Sequence, residues 1–406
     1  MLELPAQLPP AEAILNPKLA PADSPYRGVA GVGVAYILAV TLARDLGQLR
    51  GLTAPLLELF ALGTIADMAP LVGVNRRWLK RGLRLLPQSR LPGVQALMRV
   101  ANLPQRDDIG FRLGPRINAV GRIAEPQMAI ELLATDDHQV AWQRAQQCEQ
   151  ANQRRRALCT EIERAAITGI ERAAIDWARE RVLVLVQPEW HPGVIGIVAS
   201  RLVERYGVPV FLGTYADADR QQVRGSARGI PEFHVFQALQ ACQELLDTYG
   251  SYQAAGGFAL PSANLDAFWQ RLRAFAHRCL SPEQLQPLVR IDGRAQLHQL
   301  GPAFYRQLEA LQPWGTGNAE PVFWTPRVRV LEQRIVGGEH LKLALAQSGD
   351  DASEAMAAIA WRWREYFPLP SPIDVACKLR QSDWDGNLKL ELVGARPPSA
   401  DPDGTG

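Results

Sequence analysis

The chain has 406 residues, 47% hydrophobic and 21% charged, enough for two to four domains with cores of their own. Forty-four lysines and arginines stand against 42 aspartates and glutamates, so overall charge neither demands nor excludes a polyanionic partner. No run is long and apolar enough to span a bilayer, Met1-Leu2-Glu3-Leu4-Pro5 has no leader pattern, and five cysteines without a CxxC pair read as reduced, buried thiols of a cytoplasmic protein.

Residues 1–28, rich in proline and alanine, predict an extended loop, and residues 31–46 and 55–62 predict helices. Asp67 follows as a lone carboxylate in the apolar run Gly63-Thr64-Ile65-Ala66-Asp67-Met68-Ala69-Pro70. A carboxylate there is either a metal ligand or a cap or turn residue. Asn75 is expected to cap a helix whose outer face carries Arg76, Arg77, Lys80, Arg81 and Arg84. That face is either simply solvated or a track for a phosphate backbone.

Phe111-Arg112-Leu113-Gly114-Pro115-Arg116-Ile117-Asn118-Ala119-Val120-Gly121-Arg122 predicts a loop that positions guanidinium groups. Residues 137–179 predict one long helix, with Val140, Cys148, Leu158, Ile162 and Ile170 as its apolar stripe, acting as a strut between two lobes; Gly169 is its weak point. Asp136-Asp137-His138 at its start fits capping better than metal binding, and the pairs Asp217/Asp219 and Asp383/Asp385 fit turns.

Residues 181–260 form the densest block. Residues 182–186 read as a buried strand. Trp190-His191-Pro192-Gly193-Val194-Ile195-Gly196 opens a helix that should stop at Gly207, and residues 208–212 return as a second, parallel strand. A third strand, Gln222-Val223-Arg224-Gly225-Ser226-Ala227-Arg228-Gly229, sets two arginines among very small side chains. Residues 233–249 predict an amphipathic helix carrying Phe236, Leu239, Cys242 and Leu246, followed by Gly250, Gly256 and Gly257. Glycines around a basic, hydroxyl-bearing strand suit a phosphate chain; they equally suit a tightly packed α/β core.

Residues 264 onward predict a helix facing Leu265, Phe268, Leu272 and Phe275 inward. After residue 288 the pattern turns to short strands: 288–291, 327–336, 341–346, 355–361, 373–379 and 388–393. Asp385-Gly386 forms a hairpin turn and residues 303–311 one helix, which suggests a small OB-type barrel. Trp314, Phe323, Trp324, Trp361, Trp363 and Trp384, with Arg327, Arg329, Arg334, Lys342 and Lys389, suit base stacking and backbone tracking, two of the rings being expected at the surface. The residues from Ala395 are expected to be a disordered tail.

With these motifs assembled in order, and with Asn16-Pro17-Lys18, Gly31-Val32-Gly33-Val34-Ala35 and Pro313-Trp314-Gly315-Thr316-Gly317-Asn318 beside them, nearly the whole chain resembles the RecJ family. These are single-strand-specific 5′→3′ DNA exonucleases of the DHH phosphoesterase superfamily. The resemblance implies an α/β architecture: the C-terminal part of a DHH domain (1–135), mostly helical and truncated, a connector helix (136–180), a DHHA1 domain (181–280), an OB domain (281–396) and a disordered tail (397–406). It implies that Asp67 is a catalytic metal ligand for Mn²⁺ or Mg²⁺, two ions that activate water and stabilise the leaving oxygen. It further implies that Ser226 and Arg228 hold a 5′-phosphate and that Arg116, Asn118 and Arg122 contact DNA. His191 and Gly250 join the implied binding residues. Single-stranded DNA and DNA-repair proteins are the implied partners.

Two departures stand out. The family's DHH motif should lie just before Leu4-Pro5 and its other aspartate motifs further upstream, so Asp67 is left with its partners missing from the chain; one carboxylate cannot assemble a two-metal site. The family's GGH motif reads Gly250-Ser251-Tyr252, which puts Tyr252 at the catalytic histidine position, where it cannot serve as an imidazole acid or ligand. The expectation is a RecJ-type exonuclease of repair and recombination, incomplete in this chain; the alternative is an inactive relative that binds single strands or serves as a scaffold.

Overall fold

A computed structural model describes the chain apart from residues 1–7, 103–108, 252, 286–287, 348–354, 383–384 and 399–406, and the side chains of residues 109–111 and 251. It falls into two units, residues 1–69 with 73–287 and residues 70–72 with 288–406. Among the described residues no helix is long and apolar enough to cross a membrane.

The first unit begins with helices: α1 (Gly31–Asp45), α2 (Thr53–Ala66), α3 (Gly73–Leu85), α4 (Pro92–Val100), α5 (Ile109–Ile123) and α6 (Gln127–Ala134). Their shared core holds Leu62, Leu86, Val94, Leu97, Leu113, Val120 and Leu132. Asn75 is not a cap. It is buried inside α3, and its Nδ2 donates to the Gly28 carbonyl at 2.8 Å. The segment predicted as a loop, 111–122, is helical despite Pro115, because Leu113, Ala119 and Val120 recur on one face and are fully buried.

The long helix is α7 (His138–Arg172), with Asp137 as the N-cap accepting from Gln139 and Val140 N–H. Gly169 does not break it; the helix stops at Ala173, and Ala174 is left-handed. Val140 faces outward, while Ala141, Ala145 and Cys148 pack in the helical core and Cys159, Ile162, Ala166 and Ile170 in the next one. One helix thus serves two cores, with alanines permitting close approach.

The second core belongs to an α/β layer. After α8 (Trp177–Glu180) come β1 (Leu183–Val186), α9 (Pro192–Tyr206), β2 (Val210–Tyr215), β3 (Gln222–Arg228), α10 (Val235–Gln240), β4 (Thr248–Ser251), β5 (Ala255–Pro261) and α11 (Leu265–Cys279). The sheet runs β1-β2-β3-β5-β4, with β1 and β2 parallel and the remaining pairs antiparallel. Phe211, Phe233, Phe258 and Phe268 meet near its centre, each worth about 1.5–3 kcal/mol of burial. The helix predicted over 233–249 is only six residues long, because 248–251 pairs with β5 instead. Phe236 is exposed. Asp217 closes its turn by accepting from Gln221 and Gln222 N–H. Four cysteines are buried and Cys279 is exposed.

The second unit contains β6 (Gly293–Arg294), α12 (Pro302–Ala310), β7 (Phe323–Val336), β8 (His340–Gln347), β9 (Met356–Ala360), β10 (Ile373–Gln381) and β11 (Leu388–Arg396). Strands β7-β8-β9-β11-β10 close into a barrel through the β10–β7 pairing, as an OB-type fold requires. No strand forms over 288–291, where Leu288 is 79% exposed. The turn between β10 and β11 is wider than a two-residue hairpin, closing through Ser382 N–H to the Asn387 carbonyl. Trp361 is exposed, Phe323 is buried and Trp314, Trp324 and Trp363 are half-buried; Trp384 and Asp383 lie outside the described residues.

Candidate functional site

Strand β3 carries the site. Alternation puts Arg224, Ser226 and Arg228 on one face while Val223 and Ala227 are fully buried behind it. Ser226 lies between Leu212 on β2 and Gly257 on β5, and Gly257 pairs with Gly250 on β4. Across that row the face descends from a leucine to bare backbone. A Cβ added at Gly250 would meet nothing within 4 Å, and at Gly257 only a carbonyl oxygen at 3.8 Å. The result is an open cleft of about 540 Å³ lined by Arg224, Thr248, Gly250, Gly257 and Ala259 among others.

Helix α9 covers the other side of the row. His191 is its N-cap, with Nδ1 accepting from Gly193 N–H at 3.1 Å, so the neutral ring carries its proton on Nε2. A Cβ at Gly196 would come within 2.8 Å of Arg228 Nη2 and 3.2 Å of Ser226 Oγ. Gly196 is therefore what admits the guanidinium and hydroxyl against the helix. Sequence reasoning overlooked it, although a glycine inside a helix costs about 1 kcal/mol and so signals a close approach.

Helix α5 supplies the third wall. Asn118 Nδ2 donates to the Ala66 carbonyl at 2.9 Å, holding the end of α2. One turn later Arg122 Nη1 donates to the Gly193 carbonyl at 3.4 Å. Those two residues are about 6 Å apart along the helix, so α5 brackets the Asp67 turn and the start of α9. Arg116 turns away from both. Its Nε lies 2.6 Å from Glu149 and its Nη1 donates to the Arg112 carbonyl, which occupies the guanidinium inside the unit.

Asp247 lines the open cleft, but around Arg228 the charges are of one sign. Burial, then the neighbouring Arg122, lowers the Arg228 pKa. Burial also lowers that of Arg155, which senses Arg156, Arg201 and Arg122 as like charges. Glu163 pairs with Arg201 at 2.7 Å, but among the described residues no carboxylate reaches Arg228 or Arg122. An anion placed beside Arg228 would relieve this strain, and guanidinium suits a planar or tetrahedral oxyanion.

Asp67 is exposed and forms the C-cap of α2. Among the described residues no group of three His, Cys, Asp or Glu is placed to hold a metal ion. The described residues therefore do not make up a Mn²⁺ or Mg²⁺ site around Asp67. Gly250 lies on the cleft floor, and Tyr252 falls outside the described residues.

Residues 179–278 match the DHHA1 domain family and residues 291–394 the RecJ OB domain. The single-stranded-DNA-specific exonuclease RecJ of Dickeya dadantii is 35% identical over 422 residues, covering 95% of this chain and 70% of that protein. The protein of the same name from Thermus thermophilus is 33% identical, covering 98% of this chain and 56% of its own length. The crystal structure of RecJ in complex with Mn²⁺ from Thermus thermophilus superposes with a TM-score of 0.81 at 32% identity, over 98% of this chain and 57% of that one. A Mg²⁺ complex of the same protein has a TM-score of 0.78 at 32% identity, over 95% of this chain and 58% of that one.

Proposed function

This chain belongs to the RecJ family, and from that we propose that it grips the 5′-phosphorylated end of a single DNA strand, the binding half of a 5′→3′ exonuclease of repair and recombination. One observation carries the reading: Arg228 and Arg122, two cations without carboxylate partners among the described residues, converge with Ser226 beside a glycine-floored cleft. Arg228 offers a two-pronged donor, Ser226 a hydroxyl and His191 an Nε2–H near the start of α9. A terminal phosphate carries a charge of about −1.5 to −2, an internal diester only about −1, so a cationic pocket prefers the end of the strand. Bare backbone at Gly250 and Gly257 leaves room for the nucleotides that follow.

Bound Mn²⁺ or Mg²⁺ would activate water and neutralise charge at the scissile phosphate in the family's enzymes. Since the described residues do not form that site, the part assigned to them is grip and orientation. Asn118 holds the turn that bears Asp67 at a fixed distance from Arg122, which sets how far from the anchored end a reacting phosphate lies. The same reading divides the chain into a DHH-type part (1–135), a connector (136–180), a DHHA1 domain (181–280) and a strand-binding OB domain (281–396), with repair proteins as partners. A second reading, a relative that binds strands without cutting them, is favoured by Tyr252 at the family's histidine position.

The purified chain should bind a single-stranded oligothymidylate with an affinity that falls steeply with salt, log K dropping by about 0.7 per tenfold salt for each phosphate contact. Undetectable or salt-independent binding would remove both readings.

A further inference from the structure

We propose that the outer face of α3 is a second contact for a nucleic-acid backbone, separate from the α9–β3 pocket. This rests on the reading of the chain as strand-binding. From residue 68 to residue 106 the sequence carries eight lysines or arginines and not one aspartate or glutamate, whereas the whole chain is nearly balanced at 44 against 42. The balance is thus broken locally, and five of the eight, Arg76, Arg77, Lys80, Arg81 and Arg84, lie on α3.

That place is well defined. Val74, Leu79 and Gly82 are buried, Gly82 lying close against Leu57 and Ala61 of α2, which fixes the rotation of α3. Arg77, Arg81 and Arg84, spaced four and three residues apart, then share the exposed side. Among the described residues none of the three has a carboxylate within ion-pair reach. Like charges at that spacing repel, and the repulsion is felt nearby: burial, Arg76 and Arg84 together lower the Lys80 pKa.

Beside this ridge lies a cluster of aromatic rings. Trp78 on α3 meets Tyr36 at 5.1 Å and Tyr26 at 6.0 Å between ring centroids, and Tyr26 is 43% exposed. Cations in a row beside the exposed Tyr26 ring suit a phosphodiester backbone with a base free to stack. An acidic peptide would use the cations but not the rings, so nucleic acid is the occupant favoured. No residue of this face lies in the terminal-phosphate pocket, so the contact is independent of the strand's end.

The test compares binding of a 30-residue oligothymidylate across a salt series for three proteins. These are the wild type, Arg77→Gln/Arg81→Gln/Arg84→Gln, and a control with equal charge change, Arg172→Gln/Arg179→Gln/Arg278→Gln. Loss of three backbone contacts should flatten the salt slope by about two units. A fourfold rise in salt would then cost the α3 variant about 16-fold less affinity than it costs the wild type, with the control unchanged. A wild type that binds, with an α3 variant matching the control, would overturn this proposal alone. A wild type that fails to bind at any salt overturns the functional reading and this one with it. An α3 variant that keeps the oligonucleotide but loses retention of polyglutamate would assign the face to an acidic protein and also overturn it.

Discussion

Arg228→Ala is expected to weaken binding of a 5′-phosphorylated oligonucleotide about 30-fold while shifting that of the 5′-hydroxyl strand less than threefold. A charge-assisted contact contributes about 1.5–3 kcal/mol, and each 1.4 kcal/mol is tenfold in affinity. The loss cannot be laid to unfolding. Arg228 is half-buried, repelled by Arg122 and held by no carboxylate among the described residues, so removing its charge relieves the folded state. The variant should stay folded and melt within a few degrees of the wild type, since the bond it loses, Nη1–H to the Ala227 carbonyl, contributes only about 0.5–1.5 kcal/mol. Arg228→Lys, which keeps the charge but not the fork, should fall between the two. Equal losses on both oligonucleotides, measured by fluorescence anisotropy, would refute the anchor role.

Gly193→Ala should destabilise the fold strongly. Its Cβ would lie 2.1 Å from the Arg122 carbonyl oxygen and 2.9 Å from the carbonyl carbon, both backbone atoms. Neither side yields readily: α5 is pinned by buried Leu113, Ala119 and Val120, and α9 by its cap at His191 and buried Val194 and Ile195. Such overpacking costs about 2–3 kcal/mol, which lowers the melting temperature by roughly 5 °C or more in a unit of this size. Gly169→Ala supplies the contrast. It lies within α7 with nothing within 4 Å of an added Cβ, so it should stabilise by about 0.5–1 kcal/mol. Equal melting shifts in the two variants would show that the α5–α9 junction is looser than described.

Why some of this was legible in the sequence and some was not follows from the range of the interactions. The β1–α9–β2 unit announced itself locally, through a β-branched run, Pro192 at a helix start and Gly207 at its end. The barrel likewise showed in strand-length apolar patterns. Errors came where a distant partner decided. Residues 248–249 follow a helical pattern, yet β5 offers them a ladder and they pair with it. Gly114 and Pro115 argue for a loop, and the burial of Leu113 and Val120 outweighs them. Arg116 looked like a ligand-facing cation, but Glu149, thirty-three positions away, holds it. At the site itself the arginine-and-serine strand could be read directly. The convergence of Gly196 and Arg122 on it could not, because it depends on how α5 and α9 pack.

The most direct test is the dissociation constant of the intact chain for three oligothymidylates alike except at their ends: 5′-phosphate, 5′-hydroxyl and 3′-phosphate. A pocket built from Arg228, Ser226 and Arg122 predicts that the 5′-phosphorylated strand binds about 30-fold tighter than the 5′-hydroxyl strand, with no such gain from a 3′-phosphate. Equal affinity for all three would contradict it.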